Sequence, residues 1–133
     1  MEGEKILVVD DDPDIQDVMG LILAAQGYQV STARDGVECF AMLNKEKPDL
    51  LILDLLMPRM DGFAVYKELQ NTKWVTYRDI PILILTSVRE EASKRRYELE
   101  TGLTLSVDGY LEKPVSPEAL VESVRHLLKQ KHR

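Results

Sequence analysis

The chain has 133 residues, the size of one domain with a single hydrophobic core. Its formal net charge of −6 argues against direct nucleic-acid binding, which requires a basic surface. No apolar run approaches the length of a membrane span, the amino terminus lacks the apolar core of a signal peptide, and the single cysteine cannot form an internal disulfide. We therefore expect a soluble cytoplasmic protein with no membrane partner.

The first predicted strand is an apolar run that ends in three consecutive acids, Asp10, Asp11 and Asp12. Asp12 followed by Pro13 predicts a helix start, because an N-cap acid accepts a backbone hydrogen bond and proline is tolerated in the first turn. Apolar spacing predicts the buried face of this helix, and Gly27 suits its C′ position. That face comprises Ile15, Val18, Met19, Ile22 and Ala25 or Gln26.

The second unit begins with a strand from Tyr28 to Ala33, whose alternation with polar residues is typical of a sheet edge. A second amphipathic helix follows Asp35-Gly36 and stops before Pro48. We interpret Cys39 as a small core residue rather than a nucleophile. The predicted apolar face of the helix comprises Val37, Phe40, Ala41 and Leu43.

The stretch from Leu50 to Asp54 consists of four large apolar residues that end in a carboxylate. Its lack of alternation is typical of a strand buried on both faces of a parallel sheet. Asp54 has two interpretations at this point: a functional acid at the sheet edge where ligands bind, or a residue that only starts a turn. A third helix and a polar loop over 71–79 follow. The apolar residues of that helix are Phe63, Val65, Tyr66 and Leu69.

Two more units complete the chain. A strand from Ile80 to Leu85 ends at Thr86-Ser87, and a charged helix from Arg89 to Thr101 follows it. The few apolar anchors of that helix are mainly Ala92 and Leu99. A short strand at Tyr110-Leu111 ends near Lys113, and Ser116-Pro117-Glu118 opens the last helix. The predicted buried face of this helix comprises Leu120, Val121, Val124, Leu127 and Leu128.

Five strands that alternate with five helices predict a doubly wound α/β fold, with a mainly parallel sheet and helices on both faces. In the flavodoxin-like strand order 2-1-3-4-5, strands one and three are neighbours at the switch point. Asp10, Asp11 and Asp54 would then converge at one sheet edge. Thr86 and Lys113 would end strands four and five at the same edge.

Crowded carboxylates stay ionised only when a cation neutralises them, and oxygen ligands favour Mg²⁺ or Mn²⁺. A lysine and a hydroxyl opposite the acids indicate that the cation and Lys113 together hold an anion. One of the carboxylates can then attack phosphorus and form an aspartyl phosphate, with charge stabilisation lowering the barrier.

The chain resembles the receiver domain of two-component response regulators over nearly its whole length. Four motifs in the order of that family carry the resemblance: Val8-Val9-Asp10-Asp11-Asp12-Pro13, Asp54 to Gly62, Ile84-Leu85-Thr86-Ser87 and Asp108 to Pro114. The resemblance implies that Asp54 accepts a phosphoryl group from a sensor histidine kinase or a phosphotransfer protein. It also implies that Asp10, Asp11, Asp54 and the backbone carbonyl of Leu56 hold Mg²⁺.

Three further roles are implied by the resemblance. Lys113 would pair with the phosphoryl group, Thr86 would move onto it, and Tyr110 would turn inward in response. This switch would remodel the surface of helix four, strand five and helix five for a downstream protein. Plain strand packing is the alternative for Tyr110. The resemblance further implies a cis Lys113-Pro114 peptide bond.

Several other residues have structural interpretations. Asp12 is interpreted as a helix cap and Asp61-Gly62 as a turn. Met57 and Met60 are expected to pack beside the site. His126 and His132 lie on or after the last helix, away from the acidic edge, and are assigned no role.

Two segments are longer than is usual in the family. In the segment before strand five, Leu103, Leu105 and Val107 either extend that strand or form an apolar contact for a partner. In the loop before strand four, Trp74 and Tyr77 either pack over the core edge or form a docking feature.

Leu56 and Val88 lie two residues beyond Asp54 and Thr86, where the resemblance implies control of water access to the phosphoryl group. Both are apolar, which predicts slow self-hydrolysis.

Only Lys129 to Arg133 follow the last helix, too few residues for an output domain. We expect residues 1–133 to be one receiver domain, either a stand-alone regulator or part of a longer protein, and a monomer or a weak phosphorylation-dependent dimer. It would be a signalling phosphoacceptor rather than an enzyme.

A Mg²⁺-dependent phosphohydrolase is the alternative, although it would carry an acid where Leu56 stands. A flavodoxin-like cofactor binder would need Ser, Thr or Gly donors in the first loop.

Overall fold

The computed structural model describes residues 3–71, 76–77, 79–101 and 107–131. Strands and helices alternate along these residues in the predicted order. They are β1 (Lys5–Val9), α1 (Pro13–Ala24), β2 (Gln29–Ala33), α2 (Gly36–Glu46), β3 (Leu50–Asp54), α3 (Gly62–Leu69), β4 (Ile82–Thr86), α4 (Val88–Thr101), β5 (Gly109–Glu112) and α5 (Pro117–Lys131). β4 begins two residues later than predicted, because Pro81 has no backbone N–H for the ladder, although Ile80 before it is still buried.

The strands form one parallel sheet in the order β2-β1-β3-β4-β5. This is the predicted flavodoxin-like, doubly wound topology, and β2 is an edge strand as expected. The register pairs Val9 of β1 with Leu53 of β3, so the residues that follow these two positions leave the sheet side by side. The carboxyl ends of β1 and β3 therefore meet at the centre of one sheet edge, where ligands bind in such folds.

Two apolar clusters cover the two faces of the sheet, which gives the predicted three layers. Successive side chains of a strand point to opposite faces, so Leu7 and Val9 enter one cluster while Ile6 and Val8 enter the other. The first cluster includes residues of α2 and α3, and the second includes residues of α1 and α5. Burial on both faces explains why β1, β3 and β4 are continuous apolar runs.

Aspartate side chains cap three of the helices. Asp12, Asp35 and Asp61 each accept a hydrogen bond of 2.9 Å from a backbone N–H two or three residues later in the chain. The interpretation of Asp12 is confirmed, whereas Asp61 is the N-cap of α3 and more than a turn residue. Gly27 does have a positive φ of 93°, but it lies two residues beyond the C-cap of α1 rather than at C′.

The predicted apolar faces of the helices need correction. Val18 of α1 is 55% exposed, and the residue that packs in its place is Leu23. Val37 and Ala41 of α2 are exposed, and in α4 both predicted anchors are exposed, Leu99 by 85%. The prediction for α1 failed because apolar residues surround much of this helix. Their spacing alone therefore does not show which side of the helix faces the core.

Cys39 lies in the first cluster with no solvent exposure, and burial raises the pKa of its thiol to about 12. This confirms it as a core residue, since a nucleophilic cysteine requires an accessible thiolate.

The two long segments fall partly outside the described residues. Tyr77 donates its hydroxyl to the carbonyl of Leu43 at 2.8 Å and packs on the first cluster, as the core-edge interpretation predicts. Val107 also packs on that cluster ahead of β5 and does not extend the strand. Trp74, Leu103 and Leu105 lie outside the described residues. Within the described part of the chain, no helix has both the length and the apolar character needed to cross a membrane.

Candidate functional site

Three carboxylates meet where β1 and β3 end. Asp10 and Asp11 follow β1, Asp54 ends β3, and one oxygen from each lies within 4.8 Å of the others. Asp10 and Asp54 are almost completely buried, whereas Asp11 is exposed. The adjacency of β1 and β3 brings these acids together, so the predicted convergence is confirmed.

Lys113 reaches the cluster from the end of β5. Its Nζ lies 3.4 Å from Asp10 Oδ2 and 3.3 Å from Asp54 Oδ1, so one ammonium bridges two buried carboxylates. Its backbone N–H donates to the carbonyl of Thr86 at 2.7 Å, which fixes the residue against the end of β4. The Lys113-Pro114 peptide bond is cis, as the resemblance implied.

The backbone and one carboxylate oxygen of Asp10 are held by hydrogen bonds. Its Oδ1 accepts the backbone N–H of Asp12 at 2.9 Å. The side-chain amide of Gln16 donates to the carbonyls of Asp10 and Ala33, at 2.6 and 3.0 Å. Sequence reasoning missed Gln16; the available signal was a long amide side chain early in a helix that follows an acidic strand end.

Burial is the largest influence on the Asp10 carboxyl and raises its pKa. The backbone N–H of Asp12 and the Lys113 ammonium oppose this rise, while the charge of Asp11 adds to it. A second positive charge beside Asp10 would favour its ionised form.

Thr86 ends β4, and Tyr110 lies within β5, the strand that precedes Lys113. Thr86 is buried, and its hydroxyl donates to the carbonyl of Ser87 at 3.3 Å. Tyr110 is 44% exposed, and the ammonium of Lys94 lies 5.3 Å from the centre of its ring. A cavity of about 260 Å³ is lined by Thr86, Tyr110, Lys94 and Arg95. The exposure of Tyr110 shows that it is not fully packed as a core strand residue.

The loop between β3 and α3 approaches the site closely. The Gly62 N–H donates to the carbonyl of Leu55 at 2.9 Å, and a Cβ on Gly62 would lie 2.5 Å from the carbonyl oxygen of Asp54. Leu56, Met57 and Met60 are half-buried and pack against the first cluster, so both methionines make packing contacts.

Of the other residues singled out in the sequence, the structure describes the side chain of one and not those of two. His126 lies exposed on α5. His132 and the side chain of Val88 lie outside the described residues. An ion pair between Arg59 of the β3–α3 loop and Asp35, the N-cap of α2, was not predicted from the sequence.

The donor set fits a hard divalent cation. Every side-chain ligand candidate is a carboxylate oxygen, the type that Mg²⁺ and Mn²⁺ prefer. Asp10 Oδ2 is buried and accepts no hydrogen bond from the residues that the structure describes, although the Lys113 ammonium lies 3.4 Å from it. One exposed acid among two buried ones leaves an open side on which water or an anion can complete the coordination.

Comparisons with known proteins agree with this geometry. The sequence model of a family described as "Response regulator receiver domain" matches residues 6–125. The chain is 37% identical over 130 residues to a "Probable transcriptional regulator ycf27" of Porphyridium aerugineum, covering 98% of this chain and 50% of that protein. It is 40% identical over 126 residues to "Response regulator MprA" of Mycobacterium avium (strain 104), covering 95% and 51%. The chain thus spans about half the length of these curated relatives.

Solved structures give the same result. A putative response regulator from Chloroflexus aurantiacus J-10-fl superposes with a TM-score of 0.78 at 32% identity, covering 96% of this chain and 99% of that one. The chemotaxis response regulator CheY4 of Vibrio cholerae superposes with a TM-score of 0.76 at 31% identity, covering 94% and 98%.

Proposed function

The chain belongs to the response regulator receiver domain family, and from this premise we propose that it accepts a phosphoryl group on Asp54 in a Mg²⁺-dependent reaction. The family is a signalling family, and its members are not enzymes in the usual sense. The observation that carries the proposal is the burial of Asp54 between two further acids and the Lys113 ammonium. This setting suits a carboxylate that receives a phosphoryl group and stabilises the added charge.

Asp54 acts as the nucleophile. Its carboxylate oxygen forms a bond to phosphorus while the bond between phosphorus and the donor nitrogen breaks, and the donor imidazole leaves with a proton. Lys113, 3.3 Å from Asp54 Oδ1, is close enough to pair with the phosphoryl oxygens. Asp10, Asp11, Asp54 and the Leu56 carbonyl would hold the divalent cation, which would supply positive charge beside the acceptor carboxylate.

Thr86 and Tyr110 transmit the effect of phosphorylation from the site to the protein surface. The Thr86 hydroxyl exchanges its bond to the Ser87 carbonyl for one to the phosphoryl group, and Tyr110 then turns toward the cavity of about 260 Å³ beside it. This movement alters the surface formed by α4, β5 and α5. Such a switch requires two states of similar free energy, of which the phosphoryl contact favours one.

The proposed partners follow from these steps. A sensor histidine kinase or a phosphotransfer protein supplies the phosphoryl group, and a downstream protein reads the altered surface. We further propose that residues 1–133 form a single receiver unit in the cytoplasm. The phosphohydrolase alternative has little support, because half-buried, apolar Leu56 stands where such an enzyme would place its general acid.

The test is phosphorylation with phosphoramidate and Mg²⁺, followed by intact mass and peptide mapping. We expect one phosphoryl group per chain, on Asp54, and none when EDTA replaces Mg²⁺. Asp54→Asn should abolish the product. Asp12→Asn is the matched control, because asparagine also caps a helix well and Asp12 is not a proposed ligand. An unphosphorylated native chain, or a product that persists in Asp54→Asn, would refute the proposal.

A further inference from the structure

The β3–α3 loop is tied to the start of α2 by a side-chain ion pair. Arg59 donates from Nε to Asp35 Oδ2 at 2.7 Å, and its Nη2 contacts the same oxygen. The Asp35 side chain is only 3% exposed, whereas that of Arg59 is 58% exposed. A surface guanidinium therefore reaches down to a buried carboxylate, and such a charge-assisted hydrogen bond is stronger than one between neutral groups.

The two carboxylate oxygens of Asp35 accept hydrogen bonds from two different parts of the molecule. Oδ1 accepts the backbone N–H of Glu38 and caps α2, while Oδ2 accepts from Arg59 of the loop. Because α2 is packed into the first apolar cluster, its capping residue Asp35 is held in place. The loop is thereby attached to the rigid part of the fold.

A second contact fastens the loop at the same place. The Gly36 N–H donates to the carbonyl of Met60 at 2.8 Å, and a Cβ on Gly36 would lie 2.5 Å from Met60 Cγ. The backbone of Arg59 itself is left-handed, with a φ of 63°. A non-glycine residue pays a steric cost in this conformation, so the surrounding contacts must hold it there.

This same loop carries Leu56, whose backbone carbonyl is one of the four proposed metal ligands. We propose that Arg59 and Asp35 are positioning residues, which hold the β3–α3 loop in the conformation that binds the divalent cation. The inference rests on the proposed function. A loop that is already fixed loses less conformational freedom when the ion binds, and the affinity for the ion is correspondingly higher.

The test is the dissociation constant for Mg²⁺, measured by calorimetry at fixed ionic strength on the whole chain. Arg59→Gly removes the guanidinium while glycine accepts the left-handed backbone. Asp35→Asn removes the charge while asparagine still caps α2. We expect each variant to weaken Mg²⁺ binding about three- to tenfold, and the double variant to be no weaker than the more affected single one.

The two charge changes separate positioning from simple electrostatics. Arg59→Gly makes the region more negative, so charge alone would strengthen Mg²⁺ binding, whereas Asp35→Asn would weaken it. Weakening by both variants is the result expected of a positioning pair. Arg34→Gly is the matched control, because it also removes an arginine at the start of α2, where Arg34 pairs with Glu38 and not with the loop.

Circular dichroism melts show whether each variant is folded. If either variant folds poorly, the Mg²⁺ dissociation constant of Arg59→Lys provides a second test. Lysine keeps the charge without the planar fork, and we expect a dissociation constant between those of the native chain and Arg59→Gly. Native-like Mg²⁺ affinity in Arg59→Gly, or tighter binding, would overturn the inference while leaving phosphorylation of Asp54 intact. A native chain that binds no Mg²⁺ would overturn both the inference and the proposed function.

Discussion

Gly62 lies where α3 begins, pressed against the end of β3. A Cβ at this position would meet the carbonyl oxygen of Asp54 at 2.5 Å and the Cα of Leu55 at 2.8 Å. Both are backbone atoms, which cannot rotate away as the end of a side chain can. The absence of a side chain at position 62 is therefore part of how Asp54 is placed.

Gly62→Ala should lower the free energy of unfolding by about 1–3 kcal/mol, the usual cost of inserting atoms into a packed site. Gly20→Ala is the matched control: it lies within α1, and nothing lies within 4 Å of the added Cβ. That control should raise stability by roughly 0.5–1 kcal/mol through helix propensity. Urea unfolding measures both, and an equally stable Gly62→Ala would contradict the proposed steric role.

The ionisation of Asp35 makes the stability of the folded state depend on pH. Burial raises its pKa, but hydrogen bonds from the Glu38 N–H and from Arg59 outweigh burial, and the net pKa is below its usual value. A carboxyl with a lowered pKa stabilises the folded state above the pKa of the unfolded chain, and this contribution is lost as the pH falls through the folded pKa.

The stability gap between the native chain and Asp35→Asn should therefore be largest near neutral pH and shrink below about pH 4. Urea unfolding from neutral to acidic pH measures the gap. A gap that stays constant over this range would show that the ionised form of Asp35 has no special role in stability.

Leu56 bears on the lifetime of the proposed aspartyl phosphate. Its side chain is apolar and half-buried on the first cluster, two residues beyond Asp54. We expect the native phosphoryl group to last well beyond seconds, and Leu56→Gln to shorten its lifetime by helping water approach. Decay of the phosphorylated mass after removal of the donor measures both lifetimes. A native lifetime of seconds that lengthens sharply in Leu56→Gln would contradict this.

At the scale of elements, α4 and α5 differ in how they are held. None of the α4 side chains that the structure describes is buried. α5, by contrast, buries Leu120, Val124, Leu127 and Leu128 in the second cluster. The described side chains of α4 thus bury little apolar surface, and a helix held in this way opens locally at low cost, as the proposed switching surface requires.

We expect the backbone amides of α4 to exchange with deuterium faster than those of α5, as followed by peptide mass spectrometry. Equal protection of the two helices would contradict this expectation. It would also weaken the proposal that the α4 surface is the part that responds to phosphorylation.

The existence and order of the elements could be predicted, whereas several helix faces could not. The run from Leu50 to Asp54 and the cap at Asp12-Pro13 are local signals that need no knowledge of the rest of the fold. The exposure of Val18 depends on where α5 and the sheet lie around α1, which the spacing of apolar residues does not specify. Tertiary contacts decide the face, and these are non-local.

At the scale of the whole molecule, the strand order creates the acidic cluster. Asp10, Asp11 and Asp54 come together because β1 and β3 are neighbours, although Asp54 lies 43 positions after Asp11 in the sequence. The topology made this convergence predictable. The Arg59–Asp35 pair was not predictable in the same way, because it depends on a left-handed backbone at one loop residue.

The crowding of these acids predicts a specific stability change. Two like charges about 4 Å apart repel by roughly 1 kcal/mol in a water-like dielectric. Asp11→Asn should therefore raise the free energy of unfolding in EDTA by up to about this amount. In the native chain, Mg²⁺ at ten times its dissociation constant should add about 1.4 kcal/mol, and Asp11→Asn should lose that gain.

Thermal or urea unfolding with and without Mg²⁺ measures these effects. Asp14→Asn is the control, since Asp14 is an exposed acid of the first turn of α1 outside the cluster. It should keep the stabilisation by Mg²⁺. Full stabilisation of Asp11→Asn would mean that the cation binds elsewhere.

The bridging ammonium of Lys113 has a consequence for how the protein tolerates its surroundings. Because it touches both buried acids of β1 and β3, the polypeptide carries a permanent counter-ion of its own at this spot. The Lys113 ammonium therefore offsets part of the repulsion between these two acids before any metal ion binds. We accordingly expect the fold to persist when EDTA removes divalent ions, so that the proposed Mg²⁺ adds stability to a site that is already formed.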